Sequence, residues 1–325
     1  MAIFEAKDCL SPIKDKGTIV IQKGVFFETP YTFCIPTYKR SRDLKEALDS
    51  VFAQQTNLLF NVIVSDNNPE RDDETEVLIK TYYSEKRNLR YIKNAENLGM
   101  AGNWNRLILE CRTDYLILFH DDDVLFPYYL ERIDKVRQRY PDLSALNCGK
   151  IEGPNTIFKD KNSKEGKVLI HTAKTNYFKF LFGAPSGCLF KVDDLKHIGG
   201  FDNGAYPSID YVCIEKLCLE KKMVLVITEE LMFYRIGENA TAKVETQKKW
   251  LDVDFQIKKE LKDLLDISTL KFKMALWFEI KMRLRRLRKS KINSTYLHYK
   301  PGDRLFCALY MLYDYCLRRR TKVVK

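Results

Sequence analysis

The chain has 325 residues, with 55 Lys plus Arg against 44 Asp plus Glu, a net charge of +11. Hydrophobic residues make up 45% and charged residues 30%, a globular composition that excludes wholesale disorder and a collagen-like fibre. The length fits one large domain with an appendage, or two domains.

Met1 to Asp8 lack the basic stretch and apolar core of a secretory signal. No stretch reaches the roughly 18 apolar residues of a membrane-spanning helix. Residues 1–29 are weakly patterned and read as a short arm or hairpin. Thr32 to Ile35 reads as a buried strand stopped by Pro36. Ser41 is placed to cap a helix running to about Gln55, with Leu44, Leu48, Val51 and Phe52 on one face. Phe60 to Val64 is a second strand and ends in Ser65-Asp66-Asn67-Asn68-Pro69. A charged helix follows over Asp73 to Lys86, then a strand over Leu89 to Ile92. Asn97-Leu98-Gly99 turns into a helix near Ala101 to Cys111. Tyr115 to Phe119 is a fourth strand and runs into His120-Asp121-Asp122-Asp123.

Such alternation predicts an α/β fold, a mostly parallel sheet with helices on both faces. Ligands of such sheets sit outside the carboxyl ends of the strands. Three polar runs, Pro36–Arg40, Ser65–Asn68 and His120–Asp123, lie at that edge and can converge. Farther on, Lys167 to Ile170 and Ser186 to Phe190 read as strands, and Gly199 to Asp202 as a turn. Ile209 to Glu220 reads as a helix and Met223 to Ile227 as a strand. Beyond about Ala242 the pattern stays helical.

The charge is uneven. Lys271 to Lys325 carries 16 basic and 3 acidic residues, and the rest of the chain 39 and 41. A basic tail on a near-neutral body points to a contact with phosphates. Nine cysteines, with no CxxC, several of them in apolar runs, read as reduced thiols in a cytosolic protein. The four histidines are scattered and outline no zinc cluster.

Three adjacent aspartates at a strand end raise one another's pKa unless a positive charge is near. If strand alternation continues, Asp121 and Asp123 share a side and can hold Mg²⁺ or Mn²⁺. The plainer alternative is an acidic turn capping the next helix. Asp66 can accept N–H groups from a base, or simply form a turn. Arg40 and Lys39 can face a diphosphate or solvate a loop. Asn97, Gly99, Asn103 and Asn105 can be turn and cap residues only. Asp210 can be a base or a helix-start acid. No G-x-G-x-x-G, no G-x-x-x-x-G-K-[ST] and no G-x-S-x-G occurs. Dinucleotide, P-loop and common hydrolase readings therefore fall.

Phe33-Cys34-Ile35-Pro36-Thr37-Tyr38, Val64-Ser65-Asp66-Asn67, Asn97-Leu98-Gly99 with Asn105, and His120-Asp121-Asp122-Asp123 occur in this order. Ser186 to Phe190, Gly199-Gly200-Phe201-Asp202 and Asp210 follow. Over Tyr31 to Thr241 the chain resembles the family 2 glycosyltransferases with the GT-A fold. The resemblance implies a nucleotide-sugar donor, usually UDP-linked, a divalent metal (Mn²⁺ or Mg²⁺), and inversion at the anomeric carbon. It implies Asp66 on the base, and Pro36, Tyr38 and Arg40 lining the nucleotide pocket. Asn97, Gly99, Asn103, Asp121 and Asp122 join them as donor-binding residues. Asp121 and Asp123 become the metal-binding D-x-D pair and Asp210 the catalytic base, with Asp202 and Glu215 as substitutes. Three departures stand out: His120 before the acidic pair, Trp104 where a basic residue is frequent, and Gly237 where many relatives have a His. Arg235 is then expected to contact the diphosphate.

Trp277, Ile280, Leu284 and Leu287 fall at helical spacing among Lys and Arg, and Leu305 to Leu317 forms a second apolar run. A basic amphipathic helix of this kind can lie on an anionic membrane surface, or pack on the body with a solvated basic face. A nucleic-acid partner is not expected, because no recognition motif accompanies the charge. The sequence thus predicts an N-terminal arm (1–29), a catalytic domain (30–241) and a helical basic region (242–325). It predicts a cytoplasmic enzyme, peripheral at the inner face of the cell membrane, that glycosylates a glycan or lipid-linked acceptor in surface polysaccharide synthesis. A nucleotidyltransferase and a non-catalytic glycan- or lipid-binding protein are the competing readings.

Overall fold

The computed structural model describes residues 2–154, 166–177, 182–236 and 244–289. The side chains of 244, 248 and 282–289 fall outside that description, as do the loop around Gly237 and the run from Leu305 to Leu317. A short helix α1 (Ser11–Lys14) and strand β1 (Thr18–Gln22) precede the first buried strand, β2 (Tyr31–Thr37). Then come α2 (Ser41–Phe52), β3 (Asn61–Asp66), α3 (Glu74–Tyr82), β4 (Leu89–Asn94), α4 (Gly99–Glu110) and β5 (Tyr115–Leu118). β2, β3 and β4 are short and each is closely followed by a helix, so the next strand returns to the same sheet in the same direction.

β2 lies between β3 and β5 and β4 lies beyond β3, all parallel. Alternate side chains enter opposite layers. Phe33, Ile35, Val62, Val64 and Ile117 pack under α2, α3 and a later helix, α5 (Tyr129–Arg139). Cys34, Ile63, Leu116 and Leu118 pack under α4. With both faces buried, the strands have no reason to alternate apolar with polar residues.

The sheet continues beyond β5. β9 (Cys188–Lys191) runs antiparallel to β5 and to β7 (Leu143–Gly153), and β10 (Met223–Arg235) runs parallel to β7. β8 (Val168–His171) and the two-residue β6 (Val124–Leu125) each pair antiparallel with β10. β1 closes the far side against β4. Helices α6 (Ala173–Asn176), α7 (Val192–His197) and α8 (Ile209–Leu219) belong to this second half. α9 (Val244–Leu264) and α10 (Thr269–Lys289) follow, and Ile257, Leu261 and Ala275 join Tyr211 and Val212 of α8 in one apolar cluster.

Gly187, just before β9, illustrates how tightly the strands meet. It sits at φ +69°, and a Cβ there would lie 2.4 Å from the Met232 sulfur of β10. Only glycine combines that conformation with that approach.

Two local expectations need correction. Ser41 does not cap α2. It is the first helical residue, Arg40 occupies the cap, and the Ser41 hydroxyl donates to Glu74 at 2.9 Å. The acidic run does not extend the strand: β5 stops at Leu118, and Asp121 and Asp122 form a turn.

Candidate active site

Register brings the polar runs together. Thr37 of β2 pairs with Asp66 of β3, and Asp66 pairs with Lys93 of β4. Cys34 pairs with Leu118, so the chain after β5 emerges at the same edge.

In the turn after β5, Asp121 accepts the Thr37 hydroxyl at 2.7 Å. Arg40 reaches Asp122 at 2.7 Å and Asp121 at 3.4 Å. Asp123 precedes β6, whose Val124 pairs with Phe233 of β10. That pairing lets the Arg235 N–H donate to Asp123 Oδ1 at 2.9 Å. Asp123 Oδ2 is buried with no hydrogen-bond partner, and so is His120 Nε2.

Ligand atoms of His120, Asp122 and Asp123 lie within 4.8 Å of one another. This changes the expected set. Because the aspartates sit in a turn, strand alternation does not apply, and the converging groups are 120, 122 and 123. Asp121 faces Thr37 and Arg40 instead. Two orphaned buried atoms aimed into a cluster of one imidazole and two carboxylates fit a divalent cation, and oxygen-rich sets with a histidine suit Mn²⁺.

Burial, then the charge of Asp122, pushes both Asp121 and Asp123 up to about 7. Burial pushes His120 down to about 4. Its ring stacks on Trp104 with centroids 5.7 Å apart. The aromatic at 104 therefore backs a neutral imidazole, the form that can ligate a metal.

The expected base side lies deeper. Asp66 is fully buried and accepts from Lys93 (2.6 Å), the Tyr91 hydroxyl (2.9 Å) and the Asn68 N–H (2.9 Å). Burial raises its pKa against the pull of Lys93. Asn97 caps the Gly99 N–H and accepts from Asn67. Gly99 takes φ +71° with open space around it. Asn103 spends its amide inward, on Ser65 and Asn94, and ties β3 and β4 to α4. Tyr38 is exposed and Pro36 half-buried at the rim. The Arg235 guanidinium turns to Glu46 and Asp43 of α2, and its backbone is what meets Asp123.

Asp210 is the second residue of α8. Burial pushes its carboxyl up to about 6, opposed by the helix-start N–H groups of Tyr211 and Asp210. Burial, then the charges of Asp123, Asp122 and Asp210, raises the Tyr234 phenol. Lys150 of β7 acts on His120, Asp123 and Asp210 alike. Lys150 lies 5.9 Å from the centre of the Tyr234 ring, and both feel Asp210 and the acidic corner through charge.

Of the two substitutes, one is engaged elsewhere and the other is buried without a hydrogen-bond partner. Asp202 is paired to Lys7 at 2.7 Å. Glu215 is fully buried, and burial pushes it up to about 8. The Ser186 hydroxyl accepts the His120 backbone N–H at 3.0 Å, and Lys150 is a neighbour of the site that motif reading did not supply. Lys150 sits on a strand whose pattern is too mixed to announce itself.

Comparison with known proteins gives the family and the fold. A family model described as Glycosyl transferase family 2 matches residues 32–199. An uncharacterised glycosyltransferase of Methanocaldococcus jannaschii is 26% identical over 209 residues, 63% of this chain and 70% of that one. An abequosyltransferase of Salmonella typhimurium is 34% identical over 96 residues, 29% of this chain and 28% of that one. Among solved structures, S. aureus TarS 1–349 in complex with UDP-GlcNAc superposes with TM-score 0.60 at 15% identity, covering 85% of this chain and 78% of that one. A mannosyltransferase from Pyrobaculum calidifontis in complex with GDP-Man and Mn²⁺ gives 0.55 at 14%, covering 96% and 88%.

Proposed function

We propose, for a chain that belongs to glycosyl transferase family 2, that it moves a sugar from a nucleotide-sugar, first of all a UDP-sugar, to a hydroxyl of a glycan or lipid-linked oligosaccharide with inversion of configuration. Family membership makes it a glycosyltransferase, which removes the nucleotidyltransferase and non-catalytic readings. The observation that carries the finer reading is the pair of orphaned buried atoms, Asp123 Oδ2 and His120 Nε2, at the carboxyl edge of the sheet.

His120, Asp122 and Asp123 would hold Mn²⁺ or Mg²⁺, which when bound supplies positive charge for a departing diphosphate. Arg40 steadies Asp121 and Asp122 and offers a further cation at the rim. Pro36, Tyr38, Asp66, Asn97 and Gly99 shape the nucleotide side, with Asn103 bracing it from within. Asp210 takes the proton of the acceptor hydroxyl as that oxygen attacks the anomeric carbon, and the bond to the diphosphate breaks on the opposite face. Its raised pKa suits a group that must receive a proton near neutrality.

The mannosyltransferase fold neighbour with Mn²⁺ supports the metal, and the local likeness to an abequosyltransferase supports transfer of a sugar; we assign the product to surface polysaccharide. We place the enzyme in the cytoplasm at the inner face of the membrane. Leu270, Met274 and Ile280 are exposed on α10 among Lys271, Lys273 and Lys281, which supports a contact with anionic lipid.

The test is a panel of sugar nucleotides with Mn²⁺, followed as release of nucleoside diphosphate and as a thermal shift. At least one donor is expected to bind and turn over, and Asp123→Asn to lose both responses. No binding and no release across the panel would remove the donor assignment.

A further inference from the structure

We propose that the protein carries a second, non-catalytic site for a small phosphate- or carboxylate-bearing ligand, in a cavity between its N-terminal segment and α8. The cavity holds about 860 Å³, within the range of small-molecule pockets. Its walls offer Leu10, Leu109 and Leu219, with Lys14, Lys196 and Lys216 among the polar groups. It shares no residue with the acidic corner and does not depend on the transferase reading.

Lys216 carries the argument. It is 7% exposed and lines the cavity. Among the described residues no hydrogen bond or ion pair reaches its ammonium. Lys216 shares that wall with Lys7, Asp8 and Leu10, so it lies on the side of α8 that faces the N-terminal segment. Asp202 is already paired with Lys7 at 2.7 Å and accepts the Gly204 N–H at 2.9 Å.

Beside Lys7, which pairs with Asp202, the wall holds Lys14, Lys196 and Lys216 against the two acids Asp8 and Glu220. Asp8 accepts from the Leu10 and Ser11 N–H groups and from the Ser11 hydroxyl. Glu220 lies 3.8 Å from His197. The charge left over in the cavity is cationic. The Lys216 ammonium opens onto the cavity rather than into the core, and an anionic group entering from the open side gives it the acceptor that the protein does not supply. The apolar walls leave room for a carbon skeleton behind that group. Lys216 stands six residues after Asp210 on the same helix, and the cavity still lies outside the chemistry.

The measurement is thermal unfolding of the full chain in inorganic phosphate, and separately in acetate, against chloride at matched ionic strength. An Asp123→Asn background is used so that phosphate at the acidic corner is discounted. Binding at several times the dissociation constant raises the midpoint by on the order of 2 °C. The rise is expected with at least one probe, is lost in Lys216→Met and is kept in Lys216→Arg. The phosphate and acetate arms separate the two anion chemistries. An equal rise in Lys216→Met, a loss in Lys216→Arg as complete as in Lys216→Met, or no rise with either probe in the parent overturns the site.

Discussion

Asp123 gives one oxygen to the Arg235 N–H and keeps the other buried and unpartnered. A native carboxylate rarely bears that cost without a use, and the neighbouring His120 repeats the pattern. The acidic run was legible as a cluster of carboxylates at the sheet edge, but which of its members converge was not. Which aspartates converge depends on a turn at Asp121 and Asp122, and residue spacing cannot distinguish a turn from one more extended residue. His120 was noticed as a departure, and its value as a neutral ring emerges only with Trp104 stacked on it. Asp210 leads to a kinetic prediction. Its folded pKa of about 6 lies above the ordinary carboxylate value. A base works only when deprotonated, so kcat is expected to fall as pH drops through about 6. Asp210→Asn is expected to lower kcat by about 10²–10⁴ and to leave donor binding by calorimetry intact. Full activity in that variant would move the base elsewhere.

β2 to β5 and their helices could be read because β2, β3 and β5 are largely apolar runs, each followed by a polar break, and a charged helix separates β3 from β4. Those breaks face one edge once the strands lie parallel. β6, α5 and β7 escaped the same reading for physical reasons. β6 has two residues and exists only by pairing with β10. α5 hides its apolar stripe of Tyr129, Leu130 and Ile133 among Glu, Arg, Asp and Lys. β7 changes from buried to half-exposed along its length. β10 outran the expected Met223–Ile227 because the polar pair Glu229-Glu230 falls where its register against β7 shifts.

At this scale the start of α3 is the most exacting joint. Asp73 accepts the Glu76 N–H at 2.9 Å, Asn68 Nδ2 at 2.6 Å and Lys93 at 2.9 Å. Asp73→Ala is expected to cost about 2 kcal/mol or more, the upper end of a lost cap, because Lys93 keeps only Asp66 and Tyr91. Urea unfolding measures it, and a loss under about 0.5 kcal/mol would show the joint to be solvated.

The molecule as a whole joins a sheet domain to a helical appendage through one apolar cluster. Tyr177 and Tyr211 meet Ile257, Leu261 and Ala275 there, and Lys258 donates to the Tyr177 carbonyl at 2.6 Å. A truncation near Leu270 would therefore strip core contacts along with any surface. The sharper test of membrane contact changes only the exposed face: Leu270→Ser, Met274→Ser and Ile280→Ser together. Binding to vesicles containing phosphatidylserine is expected to weaken about tenfold, roughly 1.4 kcal/mol, with the thermal midpoint unchanged. Unaltered vesicle binding would return α10 to a solvated face.

The central claim is that the edge of the sheet holds a cation where a donor diphosphate must sit. The direct measurement is anomalous diffraction from crystals soaked with Mn²⁺ and a UDP-sugar. A manganese peak is expected in ligand contact with Asp123 Oδ2, near His120 and Asp122, and in contact with the diphosphate. A bound donor with no manganese at that corner, or with the metal held by other residues, would contradict it.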